Sequence, residues 1–131
     1  MMDLVHVLDC EALSRAVGGD PLMGARIKTA SQLGIRVITS SMTLVESYHK
    51  KINRPLWQWM LSRIVVEPVT EQIANDAIAL LADAGLHGHK YAIDAALAAI
   101  ALRQHGPVTV FTSDPDDMTM LCGHRAEIIR V

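Results

Sequence analysis

Acidic side chains at four separated places in this chain have types and contexts suited to metal-assisted chemistry. Asp9 directly follows the apolar run Leu4-Val5-His6-Val7-Leu8. Glu46 closes the segment Thr43-Leu44-Val45-Glu46, and Asp94 is the only charge between Tyr91 and Leu102. Ser113-Asp114-Pro115-Asp116-Asp117 directly follows Val108-Thr109-Val110-Phe111-Thr112. Carboxylates gathered in one place repel, and at least one pKa rises unless a cation is present. Hard oxygen ligands of this kind suit Mg²⁺ or Mn²⁺. The chemistry such a cluster serves best is phosphodiester cleavage, in which one ion activates water and a second stabilises the leaving oxygen.

Each carboxylate also has a structural reading. Asp9 can cap a helix over residues 11–17. Asp114 before Pro115 looks like an N-cap with proline at N1, and Asp117 then sits where a carboxylate favours the helix dipole. Thr43-x-x-Glu46 can be a capping box, although Ser40 and Ser41 compete for the cap. Asp94 is the most informative. A helix apolar nearly all round is buried, and a buried carboxylate is costly unless it is paired, neutralised or bound to metal. Its structural reading is a salt bridge or a capped neighbouring helix end.

The elements that must position these groups alternate along the chain. Short apolar runs over residues 4–8, 35–39, 64–69, 108–112 and 127–131 read as strands, with Pro68 placing the third near an edge. Helical patterns lie between them, over residues 21–33, 42–53, 55–62, 71–84, 90–104 and 115–121. Several have local stops and starts, such as Asp20-Pro21, Thr70 before Glu71, and Gly85. This alternation predicts an α/β fold with a five-stranded, mainly parallel sheet covered on both faces. In such sheets ligands bind beyond the carboxyl ends of the strands, where Asp9 and Asp114 fall.

The chain has 131 residues, a formal net charge of −2 and 50% apolar residues, which suits one domain over residues 1–131. Twelve Lys and Arg against 14 Asp and Glu give no global nucleic-acid signature, so any basic surface is local. Cys10 and Cys122 alone cannot build a disulfide framework or a four-thiolate zinc site, and a reduced, cytoplasmic compartment is expected. No secretory signal is read at the start. The stretch over residues 91–102 is too short for a bilayer, which needs about 20 residues.

In Val7-Leu8-Asp9, Thr43-Leu44-Val45-Glu46, Ala92-Ile93-Asp94-Ala95-Ala96-Leu97-Ala98-Ala99 and Phe111-Thr112-Ser113-Asp114-Pro115-Asp116-Asp117-Met118, the chain resembles the PIN-domain family, particularly its VapC-like toxins. The order and spacing of these pieces span nearly the whole chain. The resemblance implies a PIN-like three-layer α/β/α sandwich and an Mg²⁺- or Mn²⁺-dependent endoribonuclease. It implies Asp9, Glu46, Asp94 and Asp114 as the acidic quartet. Asp9, Asp94 and Asp114 would hold the metal and Glu46 would bind it or orient water. Asp117 matches a further acidic position that Asp116 could fill instead. It also implies a toxin of a toxin–antitoxin pair, often homodimeric, with a small antitoxin as partner. One departure is Glu11, two residues after Asp9, where VapC-like proteins often carry Ser, Thr or Asn.

Other features are assigned from the residues alone. His49-Lys50-Lys51 with Arg54 is the densest basic cluster, either a phosphate contact beside the acidic pocket or a solvated helix face. Lys90, one turn before Asp94, can meet an RNA phosphate or pair with that carboxylate. Five aromatic residues are poor material for an extended stacking platform. Trp57 and Trp59 cannot face the same way on a helix. One should enter the core; the other is a surface residue or a partner contact. His87-Gly88-His89 lacks a third zinc ligand at useful spacing, and Cys10 is expected to be small and buried. Two other functions fit less of the chain. One is a non-catalytic PIN-type RNA- or protein-binding module. The other is a phosphate-accepting receiver built on Asp9, which would want a lysine after its last strands.

Overall fold

The computed structural model describes residues 3–131. Strand β1 (Val5–Leu8) runs directly into helix α1 (Cys10–Val17), and Asp9 caps the helix by accepting the Ala12 N–H at 2.9 Å. Helix α2 (Pro21–Gln32) starts at Asp20, whose carboxylate accepts the Met23 N–H at 2.8 Å, with proline next in line. Strand β2 (Arg36–Ser40) leads into α3 (Ser41–Ser47), then α4 (Arg54–Leu61), β3 (Val65–Glu67) and α5 (Glu71–Ala84). Thr70 caps α5 at one end, and Gly85 closes it with φ +69°, a left-handed conformation that suits glycine. Helix α6 (Gly88–Leu102), β4 (Val108–Thr112), α7 (Pro115–Cys122), a 3₁₀ turn (Gly123–Arg125) and β5 (Glu127–Arg130) follow.

All five strands are parallel, in the order β3-β2-β1-β4-β5. The β3 run is an edge strand, as expected, and it ends at Glu67, one residue before Pro68. Val5 pairs with Val108 and Leu8 with Phe111, so the first and fourth strands lie side by side in the middle. Alternation along the strands sends Val5, Val7, Ile38, Val108 and Val110 to one face, against Ile73, Leu81, Leu97, Met118 and Leu121 of α5, α6 and α7. Leu8, Val37 and Phe111 face the other way, against Leu13, Met23, Ile27 and Met60 of α1, α2 and α4. The result is three layers, α/β/α, with a core on each side of the sheet. Among the described residues no helix is long and apolar enough to cross a membrane.

Two local expectations are corrected. The helix expected over residues 42–53 ends at Ser47. Its last turn bonds inward, Ser47 Oγ donating to the Thr43 carbonyl at 2.9 Å, while Tyr48 adopts extended backbone. The Tyr48 ring sits edge-on to Trp57, 6.3 Å between centroids. His49, Lys50 and Lys51 therefore lie in a connection and not on a helix face. The second correction is Cys10. It is half-buried at the rim of the cavity described next, its Sγ 3.5 Å from Ser47 Oγ, and burial pushes its thiol pKa up.

Candidate active site

The β1–β4 pair is where the strand order reverses direction, with β2 and β3 on one side and β5 on the other. Open parallel sheets bind ligands at such a switch point. There a cavity of about 310 Å³ is lined by Asp9, Cys10, Glu11, Glu46, Lys90, Tyr91, Asp94, Ser113, Asp114 and Asp117. Among the described residues, six carboxylates thus face one space and Lys90 is its single cation.

Each carboxylate arrives by a different route. Asp9 is buried at the end of β1 and uses both oxygens: Oδ1 accepts the Ala12 N–H and Oδ2 accepts the Ser113 N–H, each at 2.9 Å. Every carboxylate oxygen has two lone pairs, so these bonds leave acceptor capacity toward the cavity. Glu46 is exposed on α3. That helix is fixed by Ser40, whose Oγ accepts the Thr43 N–H at 2.9 Å; Ser40 is the cap and Thr43 is not. Asp94 is half-buried near the start of α6. Beyond it the helix is buried continuously from Ala95 to Ala101.

Asp114 stands at the N-terminus of α7 but makes no capping bond with its side chain. Its backbone N–H donates instead to Thr112 Oγ1 at 2.9 Å. The expected capping role is therefore not the one its carboxylate plays. Asp117 lines the cavity and Asp116, exposed on α7, does not, so Asp117 is the geometric candidate for the further acidic position. Glu11 also lines the cavity while bonding Arg15 Nε at 2.9 Å one turn along α1.

The structural reading of Asp94 as half of a salt bridge is not met. The ion pairs among the described residues join Arg15 to Glu11, Arg36 to Glu67 and Arg103 to Asp76. Burial first, and then the charges of Asp9, Asp114, Glu46 and Asp117, push the Asp94 carboxyl from 3.8 up to about 6. Burial and neighbouring negative charge each disfavour the ionised form. Among the described residues, no three His, Cys, Asp or Glu side chains are already grouped tightly enough to grip an ion. Six carboxylates against the single thiol of Cys10 make a donor set that fits a hard divalent ion better than a thiophilic one.

The basic residues divide. Lys90 lines the cavity, one turn before Asp94. Lys50 and Lys51 are exposed in the connection after α3, and Arg54 is exposed at the start of α4; none of the three lines it. Sequence reasoning gave Tyr91 and Cys10 no place in the site. Tyr91 could have been found from its position three residues before Asp94, which puts both on one helix face. Trp57 packs against the second core, whereas Trp59 is exposed with the Arg63 guanidinium 4.1 Å from its ring centre. His87 and His89 join no metal-binding group among the described residues.

No family model matches the sequence, and no curated protein matches it either. The structure, however, is similar to VapBC2 from Rickettsia felis, solved bound to a DNA fragment from their promoter. The TM-score is 0.69 over 97% of this chain and 98% of that one, at 15% sequence identity. The fold is PIN-like. The five parallel strands and seven α-helices of the described residues give the α/β architecture expected from the strand and helix alternation. The PIN-like strand order also removes the receiver alternative. Receiver-type sheets run 2-1-3-4-5, with the third strand beside the first; here β3 pairs with β2.

Proposed function

We propose that this chain is an Mg²⁺- or Mn²⁺-dependent endoribonuclease and the toxin of a toxin–antitoxin pair. The observation that carries the reading is the convergence of carboxylates from β1, α3, α6 and the β4–α7 connection on one cavity at the sheet's switch point. A divalent ion held there supplies an activated water and charge neutralisation at the phosphate. Asp9, Asp94, Asp114 and Asp117 would hold it. Glu46, exposed at the mouth, would bind it or orient the attacking water. Lys90 would meet a non-bridging phosphate oxygen, and the exposed Lys50, Lys51 and Arg54 would touch the RNA backbone outside the cavity.

The fold likeness to VapBC2 supports an antitoxin as protein partner. A cation from that partner would find six carboxylates in the cavity. An apolar groove lined by Met42, Val69, Ile78, Ala92 and Ile93 offers a docking surface nearby, and Ala92 and Ile93 also line a cleft that reaches Glu46, Lys90 and Asp94. A second copy of the chain is the other proposed protein partner.

The test is cleavage of a mixed, structured RNA by purified protein in Mg²⁺, Mn²⁺ or EDTA, with Asp94→Asn in parallel. Cleavage that needs metal and disappears in the variant supports the reading. Metal-dependent cleavage that survives Asp94→Asn removes the site assignment. No cleavage, together with no Mn²⁺ binding by calorimetry, favours the non-catalytic binding module.

A further inference from the structure

We propose that the pocket between α2 and the sheet is a second ligand site, and that it takes a small organic carboxylate with an apolar body. The pocket has a volume of about 250 Å³, and its lining includes His6 of β1, Phe111 of β4, and Leu22, Arg26 and Thr29 of α2. It shares no residue with the acidic cavity, so what it binds is independent of the nuclease reading. The two spaces also differ in sign. That cavity gathers carboxylates, whereas this pocket carries a guanidinium, an imidazole and, among the described residues, no acidic side chain.

Arg26 is the group that would meet an anion. It is half-buried, with its guanidinium carbon 4.9 Å from the centre of the buried Phe111 ring. Attraction to a ring leaves the five N–H donors of a guanidinium free. The arginines that pair with carboxylates are Arg15, Arg36 and Arg103, so among the described residues Arg26 has no acidic partner. Burying a charge without a partner is costly, and a carboxylate can answer a guanidinium with two parallel hydrogen bonds. His6 meets the same ring edge-on, 5.1 Å between centroids with 71° between planes. Burial first, and then the Arg26 charge, hold its pKa below the ordinary histidine value, so at neutral pH it offers an uncharged N–H donor. Glu127 acts on His6 in the opposite sense. It stands in line with His6 across β1, β4 and β5 but does not line the pocket.

The walls set the body of the ligand. Leu22, Ala30, Ile35 and Phe111 surround the charged group with hydrocarbon. Inorganic phosphate would give up water to those walls and gain nothing from them. An apolar cavity of about 150 Å³ holds one benzene molecule. A pocket of about 250 Å³ therefore receives a ring or a branched alkyl group together with its carboxylate. A peptide helix is about 10 Å across with its side chains and does not fit.

The test titrates benzoate and isovalerate into the purified chain, followed by NMR at the backbone amides of α2 and the His6 ring. The expected result is a saturable shift at Arg26, Thr29 and His6, with a Kd on the order of 1 mM or tighter. Benzamide keeps the ring and lacks the charge; inorganic phosphate keeps the charge and lacks the ring. Each should bind about tenfold more weakly than benzoate, or worse. Arg26→Gln should weaken benzoate by about tenfold and leave benzamide unchanged. Ala25, exposed on α2, also lines the pocket, and Ala25→Phe should block both acids without touching a charge. One readout needs no variant. A bound carboxylate offsets the Arg26 charge, so the His6 pKa should rise in saturating benzoate and stay put in benzamide. Shifts that never saturate with either acid overturn the proposal. So does benzamide or phosphate binding as tightly as benzoate, or Arg26→Gln binding benzoate as the wild type does.

Discussion

Asp9 Oδ2 accepts the backbone N–H of Ser113 at 2.9 Å, so the carboxylate that ends β1 also holds the turn that carries Asp114. With Oδ1 on the Ala12 N–H, one side chain caps α1 and ties together two strand ends 104 residues apart. Removing it orphans two donors. Asp9→Ala is expected to lose about 2–3 kcal/mol of stability and all cleavage. Asp9→Asn keeps the cap but turns an amide donor toward Ser113, and is expected to lose only about 1 kcal/mol while still abolishing cleavage. Urea unfolding compares the two; equal losses would refute the double role.

Asp94 gives a pH signature. Its carboxyl is raised to about 6 from 3.8, first by burial and then by its acidic neighbours. Between those values the folded protein binds a proton more tightly than the unfolded chain. The stabilisation is therefore complete below 3.8 and lost as pH rises through about 6. In EDTA, Asp94→Asn should match the wild type at the acid end of this window. At neutral pH it should be the more stable by on the order of 1 kcal/mol, or a few degrees in Tm, once solvent screening is allowed for. Saturating Mn²⁺ should invert the ranking, since binding only the folded form adds about 2.7 kcal/mol at a hundredfold excess over Kd. A difference in Tm that does not vary with pH would count against the crowded-carboxylate account.

Thr112 is fully buried, and its Oγ1 accepts the Asp114 N–H. Thr112→Val keeps the volume and removes the acceptor. The expected cost is about 1–2 kcal/mol in stability, with weaker Mn²⁺ binding by calorimetry, because Asp114 loses the turn that aims it. Thr112→Ser should restore both. Unchanged Mn²⁺ affinity in the valine variant would show that Asp114 is placed by the rest of α7.

The alanines of α6 set the distance between helix and sheet. Ala95, Ala98 and Ala101 are completely buried. Ala98→Leu should cost about 1–3 kcal/mol by overpacking. Pushing the helix outward should also displace Asp94 and lower cleavage further than the stability loss explains. Chemical denaturation beside kinetics on the folded fraction separates the two effects.

Local signals carried much of this architecture into the sequence. A carboxylate right after an apolar run marks a strand end, and a lone charge in an apolar helix marks a place where that helix meets something polar; Asp9 and Asp94 were legible for those reasons. The strand over residues 108–112 and the helix over 71–84 were legible through their own periodicity and caps. What stayed hidden depends on contacts between distant segments. The early end of α3 rests on Ser47, which bonds Thr43 and Cys10, and on Tyr48 meeting Trp57. The freedom of the Asp114 carboxylate from capping rests on Thr112 taking the local N–H. No periodicity reveals strand order, and so none reveals that Lys50 and Lys51 lie outside the cavity.

The pairing of β1 with β4 has a consequence for the timing of synthesis. A ribosome delivers β1, α1, β2 and α3 early, yet Asp9 has no Ser113 to hold and no Asp114 beside it until β4 has emerged and inserted next to β1. Chains fold from the N-terminus as they are made, but here every product that stops short of Ser113 lacks one wall of the cavity. If the cavity cleaves RNA as proposed, a nascent chain is harmless to the RNA threaded through the machine making it, and the site comes into being only when β4 and the start of α7 have left that machine.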